Sequence, residues 1–273
     1  NEVNIVTRKL GTMKLRSSVM NEDMISSAEL SRAACCNLGE SFVTNPSVDV
    51  SYSDAATGAK QIKLLGLSGT YVQMLTENIP NYRGAAAPYG LGYVPGPWMQ
   101  SIQVSKGTSS VKNGYEAITG QINVEFKKPQ LPEADWVSAN LFASTTNRYE
   151  ANADATLKLS KRWSTSLLAH YENETKAHDG NDDGFVDIPQ VEQYNVWNRW
   201  AYMGDHYVFQ AGIKALSETR TSGQANHGGT MHSGDLYKVG IDTERYEFFT
   251  KNAYIFNKEK NTNLALILST TLH

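Results

Sequence analysis

Tyr149-Glu-Ala-Asn-Ala-Asp-Ala-Thr-Leu-Lys-Leu159 alternates without a break. Tyr, Ala and Leu hold the odd positions, while Glu150, Asn152, Asp154, Thr156 and Lys158 hold the even ones. A strand sends successive side chains to opposite faces, so this segment has one small apolar face and one fully polar, charged face. A soluble sheet can do the same with its apolar face on a core. The pattern recurs, however, in segments of about ten residues joined alternately by tight turns and long polar loops, which is the signature of a membrane β-barrel.

Working outward, seven such strands are expected near 134–144, 149–160, 163–174, 193–204, 206–218, 245–257 and 262–273. Ser160-Lys-Arg162, Gly204-Asp-His206 and Asn257 to Thr262 are short connections, whereas Thr175–Glu192 and Thr219–Glu244 are long ones. Trp136, Tyr149 and Trp163 fall at strand ends, where interfacial aromatics belong. Seven antiparallel strands cannot close an even-stranded wall, and plugged barrels have about 22. The chain is therefore expected to be part of a longer wall. An open edge in lipid would leave backbone groups unpaired at several kcal/mol each, so this piece is not expected to be stable in a membrane alone.

The 273 residues carry a net charge of −3, which gives no sign of a nucleic-acid partner. Mean hydropathy is −0.43, and no stretch approaches the roughly 18 apolar residues of a membrane helix. A barrel escapes both tests because its inner face is polar. The chain opens Asn1-Glu2-Val3 with neither a charged nor an apolar leader region, so any leader is removed or not included. Cys35-Cys36 is the only cysteine pair. A disulfide between neighbours is strained, so these read as two small buried helix residues.

Residues 1–130 read as a separate α+β domain, and 131–273 as the incomplete wall. Ser26-Ser-Ala-Glu29 has the form of a capping box, followed by Leu30, Ala34, Leu38 and Phe42 on one helical face, ending before Asn45-Pro46. Short strands follow at 48–50, 61–65, 71–75, 101–104 and 121–126. The segment Asn81-Tyr-Arg-Gly-Ala-Ala-Ala-Pro-Tyr-Gly-Leu-Gly-Tyr-Val-Pro-Gly-Pro97 contains Arg83 as its single charged residue. A loop this long in a compact domain is usually functional, and its tyrosines suit a contact surface.

Several of these segments, in this order, carry a family resemblance. They are Leu38 to Val50, Ile62-Lys-Leu-Leu-Gly66, Val72 to Pro80, Ile102-Gln-Val-Ser-Lys-Gly107 and Gly114 to Val124. Together they resemble the plug of TonB-dependent outer-membrane receptors, with the match running over about residues 2–128 and the barrel following. Leu65 stands where the family usually has Arg, and Glu77-Asn78 where it usually has Asp-Gly. The resemblance implies a gated transporter of the bacterial outer membrane, not an enzyme. It would import a scarce ligand, with metal chelates (ferric siderophore, haem or cobalamin) ahead of glycans, a passive pore or an adhesin. It implies that Glu2, Val3, Asn4, Ile5 and Val6 pair with TonB and its inner-membrane motor complex. Ligand would dock on the loops near Ser53–Ala59 and Asn81–Tyr93, through Ser53, Asp54, Asn81, Tyr82, Arg83, Tyr89 and Tyr93. Outer-membrane lipid is the surrounding partner, and a surface lipoprotein is compatible with the family.

Two loop motifs invite metal readings. Asp179, Asn181, Asp183, the Phe185 carbonyl and Asp187 match positions 1, 3, 5, 7 and 9 of a calcium loop, with Gly184 at the turn but Gln190 in place of the closing Glu. Calcium would order that loop; no cofactor is otherwise required. His227, Met231 and His232 offer softer ligands suited to copper, zinc or haem iron, although polar loop residues are the plainer reading. His170 and His206 read as a lumen residue and a turn residue. No nucleophile elbow, HExxH or phosphate loop is present.

Overall fold

The computed structural model describes residues 13–14, 21–32, 36–43, 45–108, 116–129, 137–225, 236–257 and 262–273. It divides into two compact units: Asn1–Ser51 with Lys60–Lys127, and Tyr52–Ala59 with Lys128–His273.

In the first unit, β1 (Met13–Lys14), β2 (Asn21–Ser26), β6 (Val72–Thr76), β7 (Ile79–Pro80), β8 (Met99–Lys106) and β9 (Gly120–Phe126) form one sheet in the order β1-β2-β8-β9-β6-β7. Only the β6–β9 pair is parallel. A second sheet holds β3 (Val48–Asp54), β4 (Ala59–Leu64) and β5 (Leu67–Ser68). Ile25, Leu64, Leu75, Trp98, Ile102, Ile122, Val124 and Phe126 fill the core. β9 alternates in sequence, yet its polar positions Gln121 and Asn123 are buried as well. Asn123 is satisfied there: its amide donates to Gln103 and Glu125, and its carbonyl accepts the Asn78 N–H at 2.8 Å.

The expected capping box and continuous helix are not formed. Helix α1 covers only Ser27–Arg32, and the Ser26 hydroxyl is buried without a hydrogen-bond partner among the described residues. Leu38 and Phe42 lie in a separate 3-10 turn, Leu38–Phe42, and Ala34 lies outside the described residues. The break comes at Asn37, whose extended backbone (φ −142°, ψ 174°) caps the second piece. The Asn37 side chain accepts the Glu40 N–H at 3.2 Å, and the Glu40 carboxylate accepts the Cys36 N–H at 3.1 Å. The operative capping box is therefore Asn37-Leu-Gly-Glu40. Cys36 is buried just before this turn rather than in a helix; Cys35 lies outside the described residues.

The two departures from the plug pattern both sit in left-handed backbone. Leu65 (φ 54°) and Gly66 (φ 84°) turn β4 into β5, and Glu77 (φ 50°) and Asn78 (φ 64°) turn β6 into β7. Both central residues at positive φ define the type I′ hairpin, which favours Asn or Gly and strains Leu or Glu.

In the second unit, β10 (Val137–Ala143), β11 (Tyr149–Lys158), β12 (Trp163–Glu174), β13 (Gln190–Met203), β14 (Tyr207–Gly223), β15 (Lys238–Asn257) and β16 (Thr262–Leu272) form one antiparallel meander in sequence order. All seven expected strands are present. The second long loop, however, is much shorter than expected. Pairing continues through Thr219↔Asp242 and Thr221↔Gly240 to Gly223↔Lys238. The hydrophobic alternation stops there, but the backbone ladder does not depend on it. For the same reason β13 begins at Gln190, inside the expected Thr175–Glu192 loop.

Candidate functional site: an inside-out wall and a pinned plug loop

Burial along the meander runs opposite to that of a soluble sheet. On β12, Trp163 and Leu167 are 40% and 47% exposed, while Ser164, Ser166, His170 and Glu172 on the opposite face are buried. The same inversion exposes Leu157, Val196, Trp200, Ile213, Tyr246 and Phe248 and buries Glu150, Asn195, Arg199, Lys214, Glu218 and Arg245. Full burial of a Leu, Ile or Phe side chain is worth about 1.5–3 kcal/mol, so a contiguous exposed face of this kind is not a water surface. It is a lipid surface. Aromatic side chains mark its limits. Trp163, Tyr202, Phe209 and Tyr207 cluster at the short-turn end with ring centroids 5.1–6.1 Å apart, and Tyr171 and Tyr194 meet at 4.9 Å toward the long-loop end. The few polar groups on this face satisfy one another or the backbone. Asn198 donates to the Ser166 carbonyl and accepts from the Trp200 indole, and Thr165 donates to the Arg199 carbonyl.

The inner face is a set of buried, paired charges. Arg148 bridges Glu150 at 2.6 Å and Glu172 at 3.0 Å. Arg220 holds Glu218 at 3.0 Å, and Gln193 donates to the same carboxylate. Lys214 and Arg245 share Glu247 at 3.6 and 2.8 Å. A buried charge left alone would cost several kcal/mol, and each pairing offsets part of that cost. The Arg199 guanidinium stacks on Trp197 (4.5 Å) and also reaches Phe249 (5.9 Å). These rings meet across Gly212, where a Cβ would stand 2.5 Å from Phe249 and 2.7 Å from Trp197. His170, bonded to Asn152 at 2.8 Å, is buried on the inner face as expected; His206 is an exposed turn residue.

In the first unit, the segment 81–97 is not an open loop. The Gly90 N–H bonds to the Ala86 carbonyl at 2.7 Å, Tyr93 to Gly90, Lys60 to Pro88 and Leu38 to Val94. Asn81, Tyr82 and Tyr93 are therefore core residues, 8%, 6% and 0% exposed, and not the contact surface their position in the loop suggested. Tyr82 has φ 53°, with its N–H on the Asn81 side chain and its ring so close to Gly90 that a Cβ there would meet it at 2.8–2.9 Å. The next residue, Arg83, turns outward and pairs with Glu116 at 2.7 Å, the side chains being 44% and 25% exposed. Tyr89 is half-buried. Ser53 and Asp54, in the Tyr52–Ala59 segment, are exposed. Asp54 accepts from the Thr57 hydroxyl at 2.6 Å and the Ala56 N–H at 3.1 Å; the hydroxyl first, then the N–H, hold its carboxyl below the ordinary range.

The Asp-rich turn is ordered by its own backbone. Asp179 accepts from the N–H groups of Asp183 and Gly184, Asn181 from Asp183, Asp183 from Phe185, and Asp187 from Gly180. Among the described residues no three His, Cys, Asp or Glu side chains are gathered as a metal site, so the calcium expectation rests on spacing alone. His227, Met231 and His232, and the TonB-pairing segment Glu2, Val3, Asn4, Ile5 and Val6, lie outside the described residues.

Residues 14–121 match the family model of the TonB-dependent receptor plug domain. This stretch of the chain is a TonB-dependent receptor plug domain. Among curated proteins this receptor is similar to the vitamin B12 transporter BtuB of Vibrio vulnificus, 24% identical over 182 residues, which cover 67% of this chain and 29% of BtuB. Among solved structures it is similar to the ferripyoverdine receptor of Pseudomonas aeruginosa (TM-score 0.70, 14% identity, covering 95% of this chain and 36% of that one). The ferric-catecholate import receptor Fiu of E. coli K12 is similar too (TM-score 0.67, 17% identity, 89% and 37%). The receptor chain thus spans about a third of the length of these relatives. The ferripyoverdine receptor is a protein of the outer membrane, and the exposed apolar face of this chain belongs in that membrane too. The family is one of receptors and transporters rather than enzymes.

Proposed function

We propose that the complete receptor captures a metal chelate at the cell surface and imports it across the outer membrane by TonB-driven opening of the plug. The observation that carries this reading is the segment 81–97, a hydrogen-bonded platform inside the plug unit that buries its tyrosine anchors and presents Arg83 and Tyr89. Rigid presentation suits capture, because little entropy is then lost on binding. Relatives named for ferripyoverdine, a ferric catecholate and vitamin B12 support a chelated metal as the cargo class. Ligand docking on Arg83 and Tyr89 would favour release of Glu2-Val-Asn-Ile-Val6, and TonB would add a strand to that segment and pull.

The test is deletion of residues 1–8 from the complete receptor. Ligand binding is expected to persist and energised uptake to stop. Uptake that survives the deletion refutes TonB coupling and favours a passive pore; binding without any uptake in the intact protein favours an adhesin.

A further inference from the structure

Seventeen consecutive residues, 81–97, carry one formal charge, and the fold takes trouble to place it outside. Tyr82 is forced into left-handed backbone, a conformation a bulky residue keeps only where its surroundings over-determine it. Here they do: the ring is buried over Gly90, the N–H is held by Asn81 and the Asn81 N–H by the Met74 carbonyl. Gly84 follows at φ 58°. The two left-handed residues flank Arg83 and turn its side chain away from the core that takes Tyr82. Glu116, at 2.7 Å, sits within three residues of Thr119, whose N–H and hydroxyl are tied to the Tyr71 carbonyl. An ion pair as exposed as this one is weak and exchangeable.

We infer that Arg83 is the anion-reading residue of the plug, that the receptor's cargo is an anionic chelate, and that Glu116 is a built-in counterion which the cargo displaces. The inference rests on the reading of segment 81–97 as the docking platform. A guanidinium offers a planar fork of donors that fits carboxylate, phosphate or catecholate oxygens in pairs, and nothing else in the segment discriminates by charge. Glu116 takes one arm of that fork, its carboxylate 2.7 Å from the Arg83 Nε. It keeps the arginine oriented, and it raises the threshold for neutral molecules, which cannot replace its charge.

The test uses the complete receptor in detergent or bilayers with two probes of similar size, a ferric tris-catecholate (anionic) and a ferric tris-hydroxamate (neutral), binding being read by tryptophan quenching. Wild type is expected to prefer the anionic complex by about tenfold or more, the scale of a charge-assisted hydrogen-bonded pair. Arg83→Gln is expected to bring the preference close to one. Glu116→Gln is expected to raise anionic binding by about two- to fivefold, the value of an exposed competing pair. Both side chains are partly exposed, so melting of the variants should match wild type and confirm folding. Equal binding of the two complexes, no binding of the anionic one, or a preference that survives Arg83→Gln overturns the inference. Deletion of residues 1–8 reports on import separately, so a lost charge preference leaves the transport reading standing.

Discussion

Leu167→Arg places a charge on the exposed face of β12 and separates a lipid surface from a water surface. Leu167 lies midway between Trp163 and Tyr171, four residues from each, and all three point to the same face. At about 3.3 Å per residue and a tilt near 40°, each step of four residues rises roughly 10 Å along the membrane normal, so the aromatic belts are about 20 Å apart. That is close to the apolar band of an outer-membrane barrel, and Leu167 falls near its midplane. Arginine there should cost about 2–4 kcal/mol, whereas Leu159→Arg, opposite Trp163 at the turn, should cost about 0–1. The difference, about 1–4 kcal/mol, is roughly a fivefold to several-hundredfold shift in the folding equilibrium. On a water-facing strand, Leu167 at 47% exposure would tolerate arginine within about 0.5 kcal/mol. The assay is urea unfolding of the complete receptor in lipid bilayers, followed by tryptophan emission and by gel mobility, with midpoints taken in both directions. Equal costs at 167 and 159, or no cost at 167, would refute the lipid-facing assignment.

Three further outcomes follow from local geometry. Gly212→Ala should push Trp197 and Phe249 apart at a cost of about 1–3 kcal/mol, visible as a changed near-ultraviolet signal of the complete receptor; an unchanged signal would mean that the rings do not meet over Gly212. Leu65→Asn should relieve left-handed strain of about 1 kcal/mol without losing burial, since Leu65 is 56% exposed, and should slow amide exchange in the β4–β5 hairpin; faster exchange would contradict the turn geometry. Asp54 is depressed in the folded state, so its contribution to the Asp54–Thr57 turn is fully present above the ordinary aspartate range near about 4 and is lost as pH falls through its lowered value. A reporter at Ala55 should therefore be constant from neutral pH down to that range and loosen only in stronger acid, with Thr57→Ala moving the loosening to higher pH; the same onset in both proteins would sink the assignment.

The wall was legible because its physics is local: each strand states its own two faces, and all seven strands appear where alternation puts them. What alternation could not show is how far the ladder outruns the apolar pattern, since the polar pairs from Thr219↔Asp242 to Gly223↔Lys238 hydrogen-bond through backbone alone. In the plug, β2 was missed because Asn21-Glu-Asp-Met-Ile-Ser26 buries Asp23 by pairing it with Lys106 at 2.6 Å, a long-range contact with no local signal. The helix was over-extended because a spacing of four at Leu30, Ala34, Leu38 and Phe42 hid the Asn37-Leu-Gly-Glu40 box that divides it, and that box was itself readable. Of the loop residues expected to touch ligand, Arg83 is exposed. Tyr82 and Tyr93 were not separable from it, because only the fold reveals that a tyrosine-rich loop packs its rings inward.

The most direct test of the central claim is a nitroxide scan of residues 163–172 in the complete, bilayer-embedded receptor, in a Cys35→Ser, Cys36→Ser background. Oxygen, which partitions into lipid, should relax labels at 163, 165, 167, 169 and 171 most strongly, with the peak near 167, and should spare the even positions. A water-soluble nickel complex that relaxes the odd positions instead, or an oxygen peak on the even ones, would contradict a wall whose apolar face meets lipid and whose charges face inward.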